Sequence, residues 1–343
     1  MMSTSVSSPL RLQPLSPRFK VAFGAFVAVA LGSTSQPAHA ITYTFQDIVD
    51  PVNPTFTQAL GINDAGTIVG YGNATIFNGF QLVLPATFTR QNVPGADGGT
   101  QVVGISGGGT TVGFSITGGV TNGFAQNGGT FTTVDQPGTV FNQLLGINKS
   151  GTTAAGYSSA IDPLGMTGQT ALKVSGGPTF ASPMFTDINA QLPTNSNSQA
   201  TGVNDAGEVV GFYVGAGGLF HGFVDNGAVV STLDVPGAMD TSLLGLNNFG
   251  EAVGFDIDAA MAMHGIVCDV TTLTCQQFDD PNGVGTTTFN GVNDLGQVVG
   301  FYVNGMDNTI GLLATPIPEP ASLVLLTSGL IGMAVMHRRR KAA

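Results

Sequence analysis

A repeated glycine-bounded segment constrains the fold of this chain more than any other feature. Residues 61–71 read GINDAGTIVGY, and related segments start at Gly61, Gly104, Gly146, Gly202, Gly245 and Gly291. Successive starts are 43, 42, 56, 43 and 46 residues apart, and we expect a polar insertion near residues 189–199 in the longest unit. Self-similarity at such a period is the sequence signature of a repeat architecture.

Each unit predicts four short antiparallel strands. A turn with asparagine and glycine, such as NNFG at residues 247–250, joins the first two strands. Four strands of about six residues with short turns fill about 43 residues, the length of one propeller blade. We therefore predict an all-β, six-bladed β-propeller over residues 41–315, with an open β-solenoid as the alternative. Residues 41–50 look like a fourth strand that the sixth unit lacks, so we expect both ends to complete the last blade.

The third strand of several units begins with histidine or asparagine before glycine and an apolar residue. His221-Gly222-Phe223 is one example, and Asn78 and Asn122 stand in the place of the histidine elsewhere. Together with the Ile/Val-Asn-x-x-Gly-x-x-Val-Gly segment, this pattern resembles the HAF family of extracellular repeats. The resemblance implies an extracellular location and brings no catalytic residues.

Charge is scarce and unevenly distributed along the chain. Of 343 residues, 10 are Lys or Arg and 21 are Asp or Glu. Residues 41–317 contain 20 acidic side chains but only Arg90, Lys149 and Lys173 as basic ones. This segment repels phosphates and anionic lipid, so the composition argues against a nucleic-acid partner.

Residues 1–40 predict a secretion signal that engages the secretion translocon. Basic residues precede an apolar stretch over residues 21–32, and the segment ends in Ala38-His39-Ala40, an A-x-A cleavage pattern. Cleavage there leaves Ile41 as the first residue of the mature chain. A buried N-terminal helix is the alternative.

The other end, residues 316–343, has three parts: a Pro-Glu-Pro triplet, an uncharged stretch and a basic cluster. The triplet is Pro318, Glu319 and Pro320, and the cluster is Arg338, Arg339, Arg340 and Lys341. The 16 uncharged residues from 321 to 336 predict a helix of about 24 Å, a marginal transmembrane span against roughly 30 Å of hydrocarbon. The basic cluster predicts a cytoplasmic end and places the preceding chain outside the cytoplasm.

This tail resembles the PEP-CTERM sorting signal of Gram-negative bacteria. The resemblance implies recognition by an exosortase-type membrane protease, cleavage near Pro318, Glu319 and Pro320, and release or transfer to the cell surface, often where exopolysaccharide is made. A plain C-terminal membrane anchor is the alternative.

Two cysteines remain for the exported body, Cys268 and Cys275. A turn centred on Thr271 and Thr272 would place them opposite each other on neighbouring strands, where an oxidising compartment favours a disulfide. Two free thiols are the alternative, and two cysteines with no further partner make a poor zinc site.

Histidines give no indication of catalysis. His39 lies in the signal, His337 lies in the tail, and His221 and His264 occupy a repeat position that asparagine fills in other units. A side chain that asparagine replaces is expected to serve the fold rather than act as a general base. We find no G-x-S-x-G or H-E-x-x-H motif and predict no catalytic residue.

Oxygen-bearing side chains offer at most a weak calcium site. The Asn-Asp pairs are Asn63-Asp64, Asn204-Asp205 and Asn293-Asp294, at positions that a turn requires. The pairs Asp256 with Asp258 and Asp279 with Asp280 supply too few ligands for calcium, so we expect no cofactor or metal. The recurring aromatics predict inter-blade core at Tyr71, Phe114, Tyr157, Phe212, Phe255 and Phe301.

Three functions are compatible with these features. The first is an exported, non-catalytic component of the cell surface or extracellular matrix, associated with exopolysaccharide. The second is a carbohydrate- or protein-binding propeller whose site is formed by the Asp-Pro-Gly loops around Asp135, Asp234 and Asp280. The third is a propeller hydrolase or lactonase with a metal in its central channel.

Overall fold

The computed structural model describes residues 42–192 and 197–317. Their regular secondary structure consists of β-strands and one short 3₁₀ turn, Asn189–Gln191. The strands of the first half are β1 (Tyr43–Ile48), β2 (Thr57–Ile62), β3 (Thr67–Gly72), β4 (Asn78–Val83), β5 (Thr87–Arg90), β6 (Gly99–Ile105), β7 (Thr111–Thr117), β8 (Val120–Asn127), β9 (Thr130–Thr133), β10 (Phe141–Ile147), β11 (Thr153–Ser159) and β12 (Gln169–Ser175). The strands of the second half are β13 (Met184–Asp187), β14 (Ser198–Val203), β15 (Val209–Val214), β16 (Phe220–Asp225), β17 (Val230–Thr232), β18 (Asp240–Leu246), β19 (Glu251–Ile257), β20 (Met263–Asp269), β21 (Thr274–Phe278), β22 (Thr288–Val292), β23 (Val298–Val303) and β24 (Thr309–Pro316).

These strands form six four-stranded antiparallel sheets, the blades. Blades 1 to 5 each take four consecutive strands, from β2–β5 to β18–β21, and blade 6 contains β22, β23, β24 and β1. The first strand of each blade contacts the first strand of both neighbouring blades, and β22 returns to β2. This closed cycle confirms the six-bladed propeller and excludes the open solenoid.

Both ends of the described chain complete blade 6, as the sequence predicted. Strand β1 pairs with β24 along its whole length, with Thr44 opposite Thr315 and Ile48 opposite Gly311. The Thr44 hydroxyl donates a hydrogen bond to the Thr315 carbonyl oxygen. The ring is therefore closed by an outer strand from the beginning of the propeller.

A ring of glycines surrounds the propeller axis, one from each inner strand. A Cβ atom on Gly61 would lie 3.2 Å from the Gly104 Cα, and one on Gly291 would lie 3.0 Å from the Gly61 Cα. Each inner strand also has a register shift just before this glycine, as between Ala59 and Gly61. Backbones approach this closely only where no side chain intervenes, which explains the first glycine of every repeat.

The hydrophobic core is divided among the blade interfaces. Six clusters of buried side chains each combine two neighbouring blades, including one that joins blade 6 to blade 1 through Leu313 and Ala59. The phenylalanine of the Asn/His-Gly-Phe pattern lies in these clusters, with Phe80 and Phe223 fully buried. A single blade would leave these faces in water, so the blades stabilise one another.

The extra length of the longest unit lies only partly where the sequence predicted it. The connections between β11 and β12 and between β12 and β13 are both long, and β13 is followed by the 3₁₀ turn Asn189–Gln191. Within the described segments no helix is long and apolar enough to cross a membrane. The transmembrane helix predicted over residues 321–336 lies outside the described residues, as does the predicted signal over residues 1–40.

Candidate functional site

Most residues of the predicted sorting apparatus fall outside the described part of the chain. They are Ala38 and Ala40 of the cleavage pattern, the triplet Pro318, Glu319 and Pro320, and the basic cluster Arg338, Arg339, Arg340 and Lys341. Their roles stay predictions from the sequence.

The two cysteines lie opposite each other near the β20–β21 turn. Cys268 pairs with Cys275 in the strand register, and a disulfide joins them in the structure. Cys268 is 1% exposed and belongs to the cluster between blades 4 and 5. We propose that this bridge forms in the exported protein and secures the outer hairpin of blade 5.

Both histidines of the described chain contact carboxylates at the ends of outer strands. The His221 Nδ1 lies 2.7 Å from Asp234 Oδ2, and the His264 Nδ1 lies 3.0 Å from Asp279 Oδ2. At the same repeat position, Asn78 Oδ1 accepts a hydrogen bond from Asn92. The shared contact supports a structural role for this position.

The Asp-Pro-Gly loops also use their carboxylates within the fold. Asp135 Oδ1 accepts a hydrogen bond from the Gly123 N–H, and Asp234 Oδ1 accepts one from the Gly222 N–H. Burial raises the pKa of the Asp135 carboxyl despite that hydrogen bond. Asp280 is fully buried and accepts a hydrogen bond from the Asn282 N–H. Each of these three carboxylates therefore accepts a hydrogen bond within the protein, although the buried Asp280 Oδ2 has no hydrogen-bond partner among the described residues.

The acidic residues of blade 5 are likewise committed to neighbours. Asp258 and Asp279 both face the His264 ring, with the Nε2 of His264 3.6 Å from Asp258 Oδ2. Asp256 is buried, and its Oδ2 accepts a hydrogen bond from Gln277, whereas its Oδ1 has no hydrogen-bond partner among the described residues. Among the described residues no group of three or more His, Cys, Asp or Glu side chains is arranged to hold a metal ion.

One end of the propeller axis is covered by the Asn-containing turns. In each case the asparagine oxygen accepts a backbone hydrogen bond within its own turn, as Asn63 Oδ1 does from the Thr67 N–H at 3.0 Å. In four of these turns the side-chain nitrogen reaches the next blade, as Asn293 Nδ2 does to the Asn63 carbonyl oxygen at 3.0 Å. The Asn148 Nδ2 instead donates to Ser150 and Thr152 of its own turn. The Asn-Asp motif therefore makes both the turn and the contact between blades.

Lys149 spans this end of the axis. Its ammonium lies 2.6 Å from Asp64 Oδ2 of blade 1 and 2.8 Å from Asp294 Oδ2 of blade 6, although Lys149 itself belongs to blade 3. Burial opposes the charge of Asp294, but hydrogen bonds from Lys149 and Asn248 hold the pKa of its carboxyl below the usual value. Hydrogen bonds to Asp294 and Asp64 raise the pKa of Lys149. The Lys149 ammonium thus offsets the negative charge of Asp64 and Asp294. The cavity beneath these turns has a volume of only about 50 Å³.

The opposite end of the axis opens into a wider cavity of about 430 Å³, which we name the axial funnel. Four of its lining residues share one repeat position, three residues before the axial glycine, and are Gln58, Gln101, Gln143 and Gln199. Four phenylalanines on the neighbouring strands also line the funnel. Phe114 and Phe212 lie opposite Gln101 and Gln199, whereas Phe255 and Phe301 lie opposite Ser242 and Thr288. The funnel is therefore an amide ring bordered by an aromatic ring.

The amides of the funnel are short of partners. Gln199 Nε2 donates a 3.3 Å hydrogen bond to Gln169, whereas the side chains of Gln58, Gln101 and Gln143 have no hydrogen bond to any residue in the described segments. Deeper in the funnel, the Asn290 Oδ1 is buried and has no partner there either. Polar groups of this kind are available to a ligand.

The aromatic position does not belong wholly to the inter-blade core. Tyr71, Phe114 and Tyr157 are buried, but the prediction is wrong for Phe212, Phe255 and Phe301, which are only half-buried and line the funnel. Repeats show that these positions are equivalent. They do not show which way the side chains point.

A larger groove of about 870 Å³ adjoins the funnel over blades 2 to 4. Its lining shares Gln101, Phe114, Gln143, Gln199 and Phe212 with the funnel. The long β11–β12 connection forms one wall through exposed apolar side chains, with Leu164 73% and Met166 70% exposed. Funnel and groove form one continuous surface.

The four glutamines of the funnel were not predicted from the sequence, although they occupy a recognisable repeat position. The segments TQALG, TQVVG, NQLLG and SQATG each place glutamine three residues before an axial glycine, whereas blades 5 and 6 have Ser242 and Thr288 there. A comparison of the residues ahead of the glycine, as well as those after it, would have found the ring.

Solved structures with a similar fold have very different sequences. The chain is 10% identical to TolB from Acinetobacter baumannii, with a TM-score of 0.46 and coverage of 73% of this chain and 63% of TolB. It is 7% identical to the Aleuria aurantia lectin, a fungal six-bladed propeller that recognises fucose, with a TM-score of 0.42 and coverage of 82% and 97%. It is 12% identical to an ancestral GH74 enzyme, with a TM-score of 0.46 and coverage of 76% of this chain and 41% of the enzyme.

The clearest match concerns the segment that follows the last blade. No curated protein sequence matches the chain. The resemblance of its repeats to the HAF family stays a prediction. Residues 316–340, in contrast, match the PEP-CTERM protein-sorting motif, which implies export and membrane-anchored sorting. The chain is thus a six-bladed β-propeller that carries a PEP-CTERM sorting signal.

Proposed function

We propose that this chain is an exported, non-catalytic propeller that is sorted to the cell surface or extracellular matrix. The observation that carries the proposal is the PEP-CTERM motif at residues 316–340, directly after a closed propeller. Residues 1–40 act as the secretion signal, residues 41–315 form the exported body, and residues 316–343 are removed by an exosortase-type protease. The product is associated with extracellular polysaccharide.

Fractionation of the native cells with and without their sorting protease tests this proposal. We expect a shortened chain outside the inner membrane when the protease is present, and a full-length chain retained in the inner membrane when it is absent. Replacement of Pro318, Glu319 and Pro320 by alanine is expected to give the retained form in both strains. Asp307→Asn, which changes an exposed acid in the last turn of the propeller, is the control and should be sorted normally.

An unchanged full-length product in the inner membrane of both strains would contradict the sorting proposal. It would favour the plain membrane anchor instead.

A binding role is the second candidate, because the axial funnel presents amides without partners together with half-buried phenylalanine rings. A hydrolase with a metal in the central channel is the least supported function. Lys149 already supplies a cation to the acidic turns at one end, and the lining of the funnel has no acidic side chain, histidine or cysteine among the described residues.

A further inference from the structure

We propose that the axial funnel and its adjoining groove bind a neutral polysaccharide segment. This deepens the binding role and relies on the proposed export only for where the protein would meet a polysaccharide. Export can therefore be correct while this binding fails, and the two tests are independent.

The funnel has unmet hydrogen-bonding capacity. Gln58, Gln101 and Gln143 are half-buried, and each amide offers two donor hydrogens and an acceptor oxygen. A sugar hydroxyl both donates and accepts, so several hydroxyls on one ring can satisfy several amides at once. The buried Asn290 Oδ1 at the base of the funnel accepts a further hydrogen bond from such a ligand.

The surface of the funnel and the groove is uncharged. No Asp, Glu, Lys, Arg or His is among the described residues that line the funnel or the groove. Burial raises the pKa of the Tyr157 phenol in the groove, so that side chain stays neutral as well. The strongly acidic propeller repels anions, and a cation would find no counter-charge in the funnel. The ligand is therefore uncharged.

The funnel combines polar and apolar surface. Phe212, Phe255 and Phe301 present half-buried ring faces beside the amides. A pyranose ring has hydroxyls at its edge and C–H groups on its faces, which suits an amide ring flanked by aromatic faces. The volume of about 430 Å³ lies within the range of small-molecule sites, and most of the lining is apolar with a few polar groups, as such sites require.

The groove indicates a chain rather than a single sugar. Its volume of about 870 Å³ is about twice that of the funnel, and its lining continues the same glutamine and phenylalanine residues across blades 2 to 4. A polysaccharide that places one unit in the funnel can extend further units along this groove, where each adds its own contacts.

A peptide fits this surface less well. Peptides are commonly bound by addition to an open strand edge or by capture of charged ends. Each inner strand is paired on one side within its blade, and its other side faces the crowded glycine ring. The funnel therefore offers neither an accessible strand edge nor a charge for a peptide.

Calorimetric titration of the purified full-length chain tests the proposal. The probes are neutral hexaoses of glucose in α-1,4 and β-1,4 linkage, of mannose, of galactose and of xylose, with hexagalacturonate as an anionic probe and a capped, uncharged glycine–phenylalanine hexapeptide as the peptide probe. We expect at least one neutral hexaose to bind, and hexagalacturonate and the peptide not to bind.

The informative variant is Gln101→Ala combined with Gln143→Ala, because neither side chain has a partner within the described protein and the fold should be unaffected. Loss of two hydrogen bonds should weaken binding of the hexaose by about tenfold or more. The matched control is Gln46→Ala combined with Phe249→Ala, which removes an exposed glutamine of β1 and a phenylalanine that is 75% exposed. Its affinity should equal that of the unmodified chain.

Three results would overturn the proposal. One is no binding of any neutral hexaose at roughly 10 mM. Another is equal affinity of the funnel variant and the unmodified chain, with both folded by circular dichroism. The third is binding of the peptide that depends on Gln101 and Gln143 while no hexaose binds, which would identify the funnel as a peptide site.

Discussion

At the scale of single residues, two equivalent aspartates show how scarce charge is used. Asp50 and Asp280 occupy the same position in the loop that leads into an inner strand, and both are fully buried. Burial alone would raise the pKa of Asp50, but hydrogen bonds from Arg90, Asn53 and the Val52 N–H hold it below the usual value. Asp280 has no arginine, and burial raises its pKa. The Arg90 guanidinium therefore stabilises the charged form of Asp50, and Asp280 has no equivalent partner.

Arg90→Met should therefore destabilise the protein. Both terminal nitrogens of Arg90 contact the Asp50 carboxylate, one at 2.7 Å, and their loss leaves a buried charge without its main partner. We expect a loss of about 1.5–3 kcal/mol in the free energy of unfolding at pH 7, measured by denaturant titration.

The pH dependence of this loss follows from the lowered pKa of Asp50. A carboxyl whose pKa is lower in the folded state stabilises the protein above its unfolded pKa of about 3.9, and this contribution disappears as the pH falls through the folded value. The difference between the variant and the unmodified chain should shrink below about pH 4. Lys173→Met, which removes a cation with only a 3.5 Å contact to a carbonyl oxygen, is the control. An equal loss in both variants would contradict the assignment.

At the scale of elements, the glycine-bounded repeat could be interpreted correctly from sequence because each part has a local cause. The turn glycines have positive φ, such as 75° at Gly66 and 83° at Gly207, and the axial glycines lie against neighbouring backbones. These constraints leave a fixed pattern in every unit. The direction in which the Phe212 or Phe255 side chain points leaves no such sequence pattern, because the register shift in each inner strand alters the alternation of side chains between the two faces of the sheet.

The outer hairpin of blade 5 provides a test at this scale. Replacement of both Cys268 and Cys275 by serine should lower the free energy of unfolding by about 2–3 kcal/mol, since the short loop between them is no longer closed. Mass spectrometry of the exported protein under non-reducing conditions should show the mass of one disulfide. Two free thiols in that product, or equal stability of the variant, would show that the bridge is not part of the exported state.

At the scale of the whole molecule, repeats and termini were enough to predict the closed ring, because the missing strand of the last unit has a counterpart at residues 43–48. Contacts across the axis could not be predicted in this way. Lys149 reaches Asp294 from a blade on the opposite side of the ring, and only the closed structure brings the two together. The same holds for the funnel, whose glutamines come from four separate blades.

Ring closure can be measured directly with one pair of cysteines. Thr44→Cys with Thr315→Cys places two thiols on directly opposite residues of β1 and β24, which are 271 positions apart in the chain. In the closed propeller these positions are close enough to bond, and a cross-link over so long a loop should stabilise the protein by about 5 kcal/mol.

The matched control is Thr44→Cys with Thr186→Cys, in which the second thiol lies on the exposed outer strand of blade 3. We expect a rapidly migrating, cross-linked monomer on a non-reducing gel for the first pair and none for the control. Absence of an intramolecular cross-link in the first pair, or the same cross-link in both, would contradict a propeller closed by its two ends.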